Sequence, residues 1–207
     1  MLVIIDNNMG NVLSVSNALR KLNVDHIISN KKKDIKNATA LIFPGVGAFP
    51  MAMQNLKSLD IGSLIKNKII DEKTPFLGIC LGMQILFEDS EEQKKTKGLG
   101  ILKGSIIKFK DDSKFIVPHV GWNVCDFTKN DILFNNIKHD AKFYYDHSFF
   151  APASKKSNVI GSLHYQLKIT SAVRKNNIFG VQFHPEKSQR NGLRLLRNFT
   201  NFSLGLL

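Results

Sequence analysis

The feature that most constrains this chain is a thiol flanked by glycines, Gly78-Ile79-Cys80-Leu81-Gly82. The apolar run Pro75-Phe76-Leu77 leads into it, and a helix-like segment, Met83-Gln84-Ile85-Leu86-Phe87, follows. That order predicts a strand turning sharply into a helix, with Cys80 at the apex. The turn needs small neighbours, because a Cβ at either flank clashes with the crossing backbone. The helix N-terminus then lies beneath the sulfur, where unpaired N–H groups favour a thiolate and nearby anions.

The rest of the chain fits an α/β layer architecture. Leu2–Ile5 is a short apolar run that reads as a buried strand, and Val12, Val15, Ala18, Leu19 and Leu22 follow helical spacing. Strands are expected at 26–28, 40–43 and 75–79, with helices over 48–56 and 63–70. Strand alternating with helix predicts an open, mainly parallel sheet covered on both faces. After Gly104 the pattern changes to short strand-like pieces at 105–109, 114–117, 120–126, 143–145, 159–163, 171–173 and 178–182. These predict an antiparallel extension of the sheet, closed by a helix from about Asn191. With no linker or repeat in 207 residues, the expectation is one domain over 1–207. In such a sheet, ligands gather beyond the carboxyl ends of the strands. The loops after Phe43, Ile79 and Phe183 lie there.

The chain carries 29 basic and 17 acidic residues, a net charge of +12. Its basic residues fall in scattered clusters, Lys31-Lys32-Lys33, Lys94-Lys95, Lys155-Lys156 and Arg174-Lys175, between expected elements. This argues for solvated loops and a partner-facing patch and against a nucleic-acid surface, which needs basic residues along one face. Two cysteines make no disulfide framework. A strand at the very start leaves no room for a leader, and no apolar run approaches the roughly 20 residues that span a bilayer. A cytoplasmic protein with a reduced thiol and no membrane association is expected.

Downstream lies Gln182-Phe183-His184-Pro185-Glu186. His184 can take a proton from Cys80 and return it to a leaving group, and Glu186 can reach round the proline bend to hold the imidazole tautomer. Attack on a carbonyl creates an oxyanion. The N–H of Leu81 and one from the Gly45-Val46-Gly47 loop can receive it. Cys125, in the apolar Val124-Cys125 pair, is expected to be inert, and His26, His139 and His164 to be structural or superficial. No His/Cys/Asp group has metal spacing, and neither metal nor cofactor is expected.

Residues 78–84 together with His184-Pro185-Glu186 resemble the class I, or triad, glutamine amidotransferases. The resemblance implies a mixed α/β sheet and release of ammonia from L-glutamine through a thioester on Cys80, with His184 as base and acid and Glu186 as orienter. It places Gln84, and the backbone of His147, Ser148 and Phe149, against bound glutamine. Pro44-Gly45-Val46-Gly47-Ala48-Phe49, Gly98-Leu99-Gly100, Pro118-His119-Val120-Gly121-Trp122-Asn123 and Phe183 to Ser188 are similar to the glutaminase subunits of imidazole glycerol phosphate synthases. The similarity runs from Ile5 to Phe199. It implies a heterodimer serving histidine biosynthesis, in which the partner is a (β/α)8 cyclase/synthase subunit, with Asn11, Trp122 and Lys187 at the interface. The alternative is a paralogous glutaminase feeding a barrel-like synthase that amidates another substrate, such as a surface sugar. A stand-alone γ-glutamyl hydrolase predicts strong activity without a partner. Two places depart from the family pattern. Asp6-Asn7-Asn8-Met9-Gly10-Asn11 replaces an Asp-Tyr-Gly type opening, and Asp146 stands where an apolar residue is usual.

Overall fold

In the computed structural model, which describes residues 1–111, 113–128, 130–153 and 158–206, an eight-stranded mixed sheet organises the chain. The first half supplies β1 (Leu2–Ile5), α1 (Val12–Lys21), β2 (His26–Ser29), α2 (Lys32–Lys36), β3 (Ala40–Gly45), α3 (Phe49–Ser58), α4 (Gly62–Ile70), β4 (Phe76–Cys80) and α5 (Leu81–Gln84). The second half supplies β5 (Asp89–Ser90), β6 (Thr96–Lys97), β7 (Ser105–Lys108), β8 (His119–Val124), β9 (Asp126–Phe127), β10 (Lys142–His147), β11 (Phe149–Phe150), β12 (Val159–Tyr165), β13 (Leu167–Lys175), β14 (Ile178–Val181) and α6 (Gln189–Ser203).

The sheet order is β2-β1-β3-β4-β14-β13-β12-β9. Strands β2 to β14 run parallel, and β13, β12 and β9 add the antiparallel extension. The central strands β1, β3, β4 and β14 are buried at every residue, which explains their unbroken apolar runs. Because successive strand residues face opposite sides, they divide between two cores. Leu2, Ile4, Leu77 and Ile79 pack with Val15 and Leu19 of α1 and Leu195, Leu196 and Phe199 of α6. Val3, Ile5, Leu41 and Phe43 pack with Phe49 and Leu56 of α3 and Ile65 of α4 on the other face. Strand β4 is flanked by parallel neighbours, with Cys80 opposite Gly45 of β3 and Ile79 opposite Val181 of β14. All three of those strands therefore release their loops at one edge.

Four expectations are corrected. The segment 114–117 is turn with a single bridge at Phe115, and the expected strand over 120–126 divides into β8 and β9. Strand β8 pairs with β10 in a separate ribbon, while β9 joins the edge of the main sheet. Lys32 and Lys33 open helix α2 and Arg174-Lys175 end β13, so those clusters are not loops. The helix after Cys80 lasts one turn only. Its continuation is pre-empted because the carbonyls of Ile85, Leu86 and Phe87 accept hydrogen bonds from the N–H groups of Leu99, Ile101, Leu102 and Gly100. The Gly98-Leu99-Gly100 motif serves this crossing, since a Cβ on Gly98 would lie 2.4 Å from the Phe87 carbonyl oxygen. Lys155 and Lys156 lie outside the described residues.

Candidate active site

The elbow at Cys80 is tightly built. Cys80 has φ 53° and ψ −106°, a conformation that a residue with a side chain adopts only under constraint. The constraint comes from the flanking glycines. A Cβ on Gly78 would sit 2.2 Å from the Gly82 carbonyl oxygen, and one on Gly82 would sit 1.8 Å from that of Phe43. Cys80 is 6% exposed. The side-chain amide of Gln182 donates to its sulfur at 3.6 Å, and the sulfur lies 3.9 Å from the Asp146 carbonyl oxygen. With α5 only one turn long, the helix dipole contributes little to the sulfur's environment. The charged partner on the other side matters more.

That partner is His184, which leaves the end of β14 and is buried. Its N–H donates to the Tyr144 carbonyl at 2.8 Å, and its own carbonyl accepts from Ser188 Oγ at 2.6 Å. Ser188 Oγ also accepts from the Tyr144 N–H at 2.9 Å, which locks the bend against β10. Imidazole Nδ1 donates to Glu186 Oε1 at 2.8 Å, so Nε2 is the nitrogen presented to Cys80. Glu186 Oε1 also accepts from the Asn11 side-chain amide. Burial alone would lower the His184 pKa. The negative charge of Cys80 and its hydrogen bond, followed by the Glu186 hydrogen bond and charge, outweigh burial and raise it to about 10. His184 is therefore held as an imidazolium near neutrality. His184 Nε2 and Glu186 Oε2 are buried without a partner of ordinary hydrogen-bond geometry.

In front of the sulfur lies a cleft of about 420 Å³. Val46 and Gly47 form one wall; Gln84, His147, Ser148 and Phe149 contribute to the others. The Val46 N–H donates to the Met9 carbonyl at 3.1 Å, so this peptide is committed to the loop after β1. Gly47, at φ +105°, lies close under the Met9 side chain, whose Cε would be 2.9 Å from an added Cβ. Both amide hydrogens of Gln84 are in use, one on the Phe149 carbonyl at 3.0 Å and one on Gln182 Oε1 at 3.1 Å. Only its carbonyl oxygen remains to meet a ligand. The Phe149 carbonyl accepts a second hydrogen bond from His147 Nδ1 at 2.9 Å.

Of the expected site residues, Cys80, His184 and Glu186 are brought together, and Val46, Gly47, Leu81, Gln84, His147, Ser148 and Phe149 line the cleft. Gly45 stands behind the elbow, with Leu81 Cβ 3.1 Å from where its own Cβ would be. Asn11 lies against Glu186. Trp122 is 44% exposed on β8, with its ring 6.0 Å from that of Tyr144. Lys187 Nζ sits 5.3 Å above the same Tyr144 ring. Sequence reasoning gave no role to Gln182, His119, Glu92 or the Met9 carbonyl. Glu92 lines the cleft and accepts the Phe49 N–H at 2.7 Å. Nothing in its charged surroundings on the chain sets it apart. Cys125 is fully buried, and burial pushes its thiol up to about 12. His26 joins Ser16 Oγ to the Val24 carbonyl, and His139 stacks on Phe127. Among the described residues, no group of three or more His, Cys, Asp or Glu could hold a metal ion, and no helix is long and apolar enough to cross a membrane.

The family model described as "Glutamine amidotransferase class-I" matches residues 3–201. The chain belongs to this family. Similar relatives carry a more specific name. A protein of Methanococcus maripaludis, named imidazole glycerol phosphate synthase subunit HisH 2, is 45% identical over 96% of this chain and 98% of its own length. Subunit HisH of Sulfurimonas denitrificans is 45% identical over 98% of each chain, and that of Methanocaldococcus jannaschii 44% over 96% and 98%. Among solved structures, a crystal structure titled glutamine amidotransferase aligns with a TM-score of 0.75 at 17% identity, covering 97% of this chain and 98% of that one. A glutamine amidotransferase from Thermotoga maritima aligns at 0.64 with 16% identity, over 99% and 84%. At these identities the alignments speak for the fold, which they assign to the amidotransferase sheet.

Proposed function

We propose that the chain is a single glutaminase domain over 1–207 that hydrolyses L-glutamine and passes the ammonia to a (β/α)8 cyclase/synthase subunit making imidazole glycerol phosphate in histidine biosynthesis. The observation that carries the chemistry is the convergence of His184 Nε2 and the buried Glu186 carboxylate on the Cys80 sulfur, which lines the cleft. The thiolate attacks the side-chain carboxamide carbon of glutamine. His184 gives its proton to the departing nitrogen, and ammonia leaves a γ-glutamyl thioester. Water then adds to the thioester, His184 takes the proton, and glutamate departs as the sulfur is regenerated. Near-full-length identity to subunits of imidazole glycerol phosphate synthase supports the acceptor.

The partner's face is the exposed side of the β8–β10 ribbon, where Trp122 and Tyr144 lie directly across from one another and Lys187 adds charge. In the resting state the Val46 N–H is held by the Met9 carbonyl. Activity requires that this peptide turn toward the developing oxyanion, an interaction typically worth about 3 kcal/mol of barrier. A backbone hydrogen bond contributes only about 0.5–1.5 kcal/mol net. Docking of an acceptor-loaded partner can therefore break the hold at modest cost. The test compares glutamate release by the chain alone, the complex, and the complex with its acceptor nucleotide. Turnover should rise at each step, and equal turnover in all three would remove the gate.

A further inference from the structure

Beneath the cleft two histidines form a directed relay that the hydrolytic mechanism leaves unused. His119 opens β8 and His147 closes β10, and the antiparallel register places them opposite each other. His119 Nδ1 lies 3.0 Å from His147 Nε2, and His147 Nδ1 lies 2.9 Å from the Phe149 carbonyl oxygen. His119 Nε2 is 3.4 Å from the Asn123 side-chain amide nitrogen. The His119 ring is stacked between those of Tyr145, at 5.1 Å, and Tyr165, at 4.1 Å.

The chemistry of the ends fixes every proton in this chain of bonds. A carbonyl can only accept, so His147 Nδ1 carries hydrogen. In a neutral imidazole the other nitrogen is then an acceptor, so His119 Nδ1 must donate to it. His119 Nε2 in turn accepts from Asn123. Both rings are 6% exposed or less. Burial holds His119 down to about 4, and burial holds His147 down to about 3 against the opposing effect of its hydrogen bond to the Phe149 carbonyl. Both rings are neutral at physiological pH. That neutrality spares the His184 imidazolium a second cation nearby.

We propose that His119 is a positioning residue for glutamine binding, which acts by fixing the His147 tautomer and hence the Phe149 carbonyl that anchors Gln84. Residue 119 touches neither ligand nor sulfur. Its influence passes through a cleft wall and falls on binding rather than on the rate of bond breaking. The inference rests on the glutaminase reading for its kinetic consequence and is independent of it for the tautomer.

Two measurements test it. In the full chain labelled with ¹⁵N-histidine, His147 should appear as the Nδ1–H tautomer with Nε2 accepting, and His119 likewise. A His147 protonated on Nε2 overturns the proposal whether or not the protein hydrolyses glutamine. In the second test, His119→Phe keeps a ring for the tyrosine stack and removes the donor, whereas His119→Asn returns an N–H near the place of Nδ1. In the complex with its partner, His119→Phe should raise KM for glutamine about tenfold, the usual consequence of stranding a buried acceptor. Its kcat should stay within about threefold. His119→Asn should recover most of the lost affinity. Unchanged KM in the phenylalanine variant, or no recovery with asparagine, overturns the relay. Lack of glutaminase activity in the unmodified complex would instead overturn the parent reading, with the tautomer result still deciding the relay.

Discussion

Glu186→Gln isolates the charge of the orienting group from its shape. Glu186 Oε1 receives two donors, His184 Nδ1 at 2.8 Å and the Asn11 amide, and the side chain is fully buried. A glutamine oxygen in the same place keeps both hydrogen bonds and loses the charge, while its amide nitrogen takes the unpartnered place of Oε2. A hydrogen bond to a charged group contributes about 1.5–3 kcal/mol, against about 0.5–1.5 for a neutral pair. The difference, about 1–2 kcal/mol, corresponds to roughly five- to thirtyfold in the proton affinity of the imidazole. The assay is the rate of Cys80 alkylation by iodoacetamide as a function of pH, followed by mass spectrometry. Cys125 serves as an unreactive internal control, since burial holds its thiol at about 12. That loss of proton affinity is a shift of about 0.7–1.5 pH units, so the rate near neutrality should hold and the variant's profile should change on the alkaline side. The loss of the imidazolium should also move down from the about 10 of His184 in the intact site. An alkaline limb that does not move would refute the assignment of Glu186 as the charge that supports His184.

Four further outcomes follow from the geometry. Gly82→Ala drives a methyl to within 1.8 Å of the Phe43 carbonyl oxygen and should cost about 3 kcal/mol or more; an unchanged urea midpoint would contradict the crossing. Glu92 places a carboxylate in the cleft, suited to an ammonium group, so Glu92→Gln should raise KM for glutamine about tenfold, as read from steady-state kinetics. Trp122→Ala should weaken the complex with the barrel subunit by about 2 kcal/mol, while the Tm of the isolated chain holds because the ring is 44% exposed. His184 is raised from an ordinary 6.5 to about 10. Its stabilising contribution is therefore full below the lower value and is lost as pH rises through the upper one; a His184→Gln variant should lack that part of the decline in Tm on the alkaline side.

The sequence made the parallel half of the fold legible because fully buried strands need unbroken apolar runs, and Leu2–Ile5 and Phe76–Cys80 have them. The elbow was legible for a steric reason, since only glycine fits at 78 and 82. Helix α2, rich in lysine and with Ile35 its only buried residue, carries no such periodicity. The two-residue strands β5 and β6 are set by pairing partners and not by their own letters. The division of 120–126 between two sheets is likewise a tertiary choice. Within the site, thiol, imidazole and carboxylate announce themselves as residue types. The Met9 carbonyl cannot, because every residue has one. His119 was visible in its motif, but its partner lies on another strand, 28 positions away.

The few residues between β1 and α1 reach two parts of the machinery at once. Through the Met9 carbonyl they hold the Val46 peptide, and through the Asn11 amide they touch Glu186. On the proposed gate, one displacement of this short bridge would release an anion-stabilising donor and readjust the support of the imidazole in the same stroke. Idling and firing would then be yoked by chain connectivity, with a single mechanical input enough to change both.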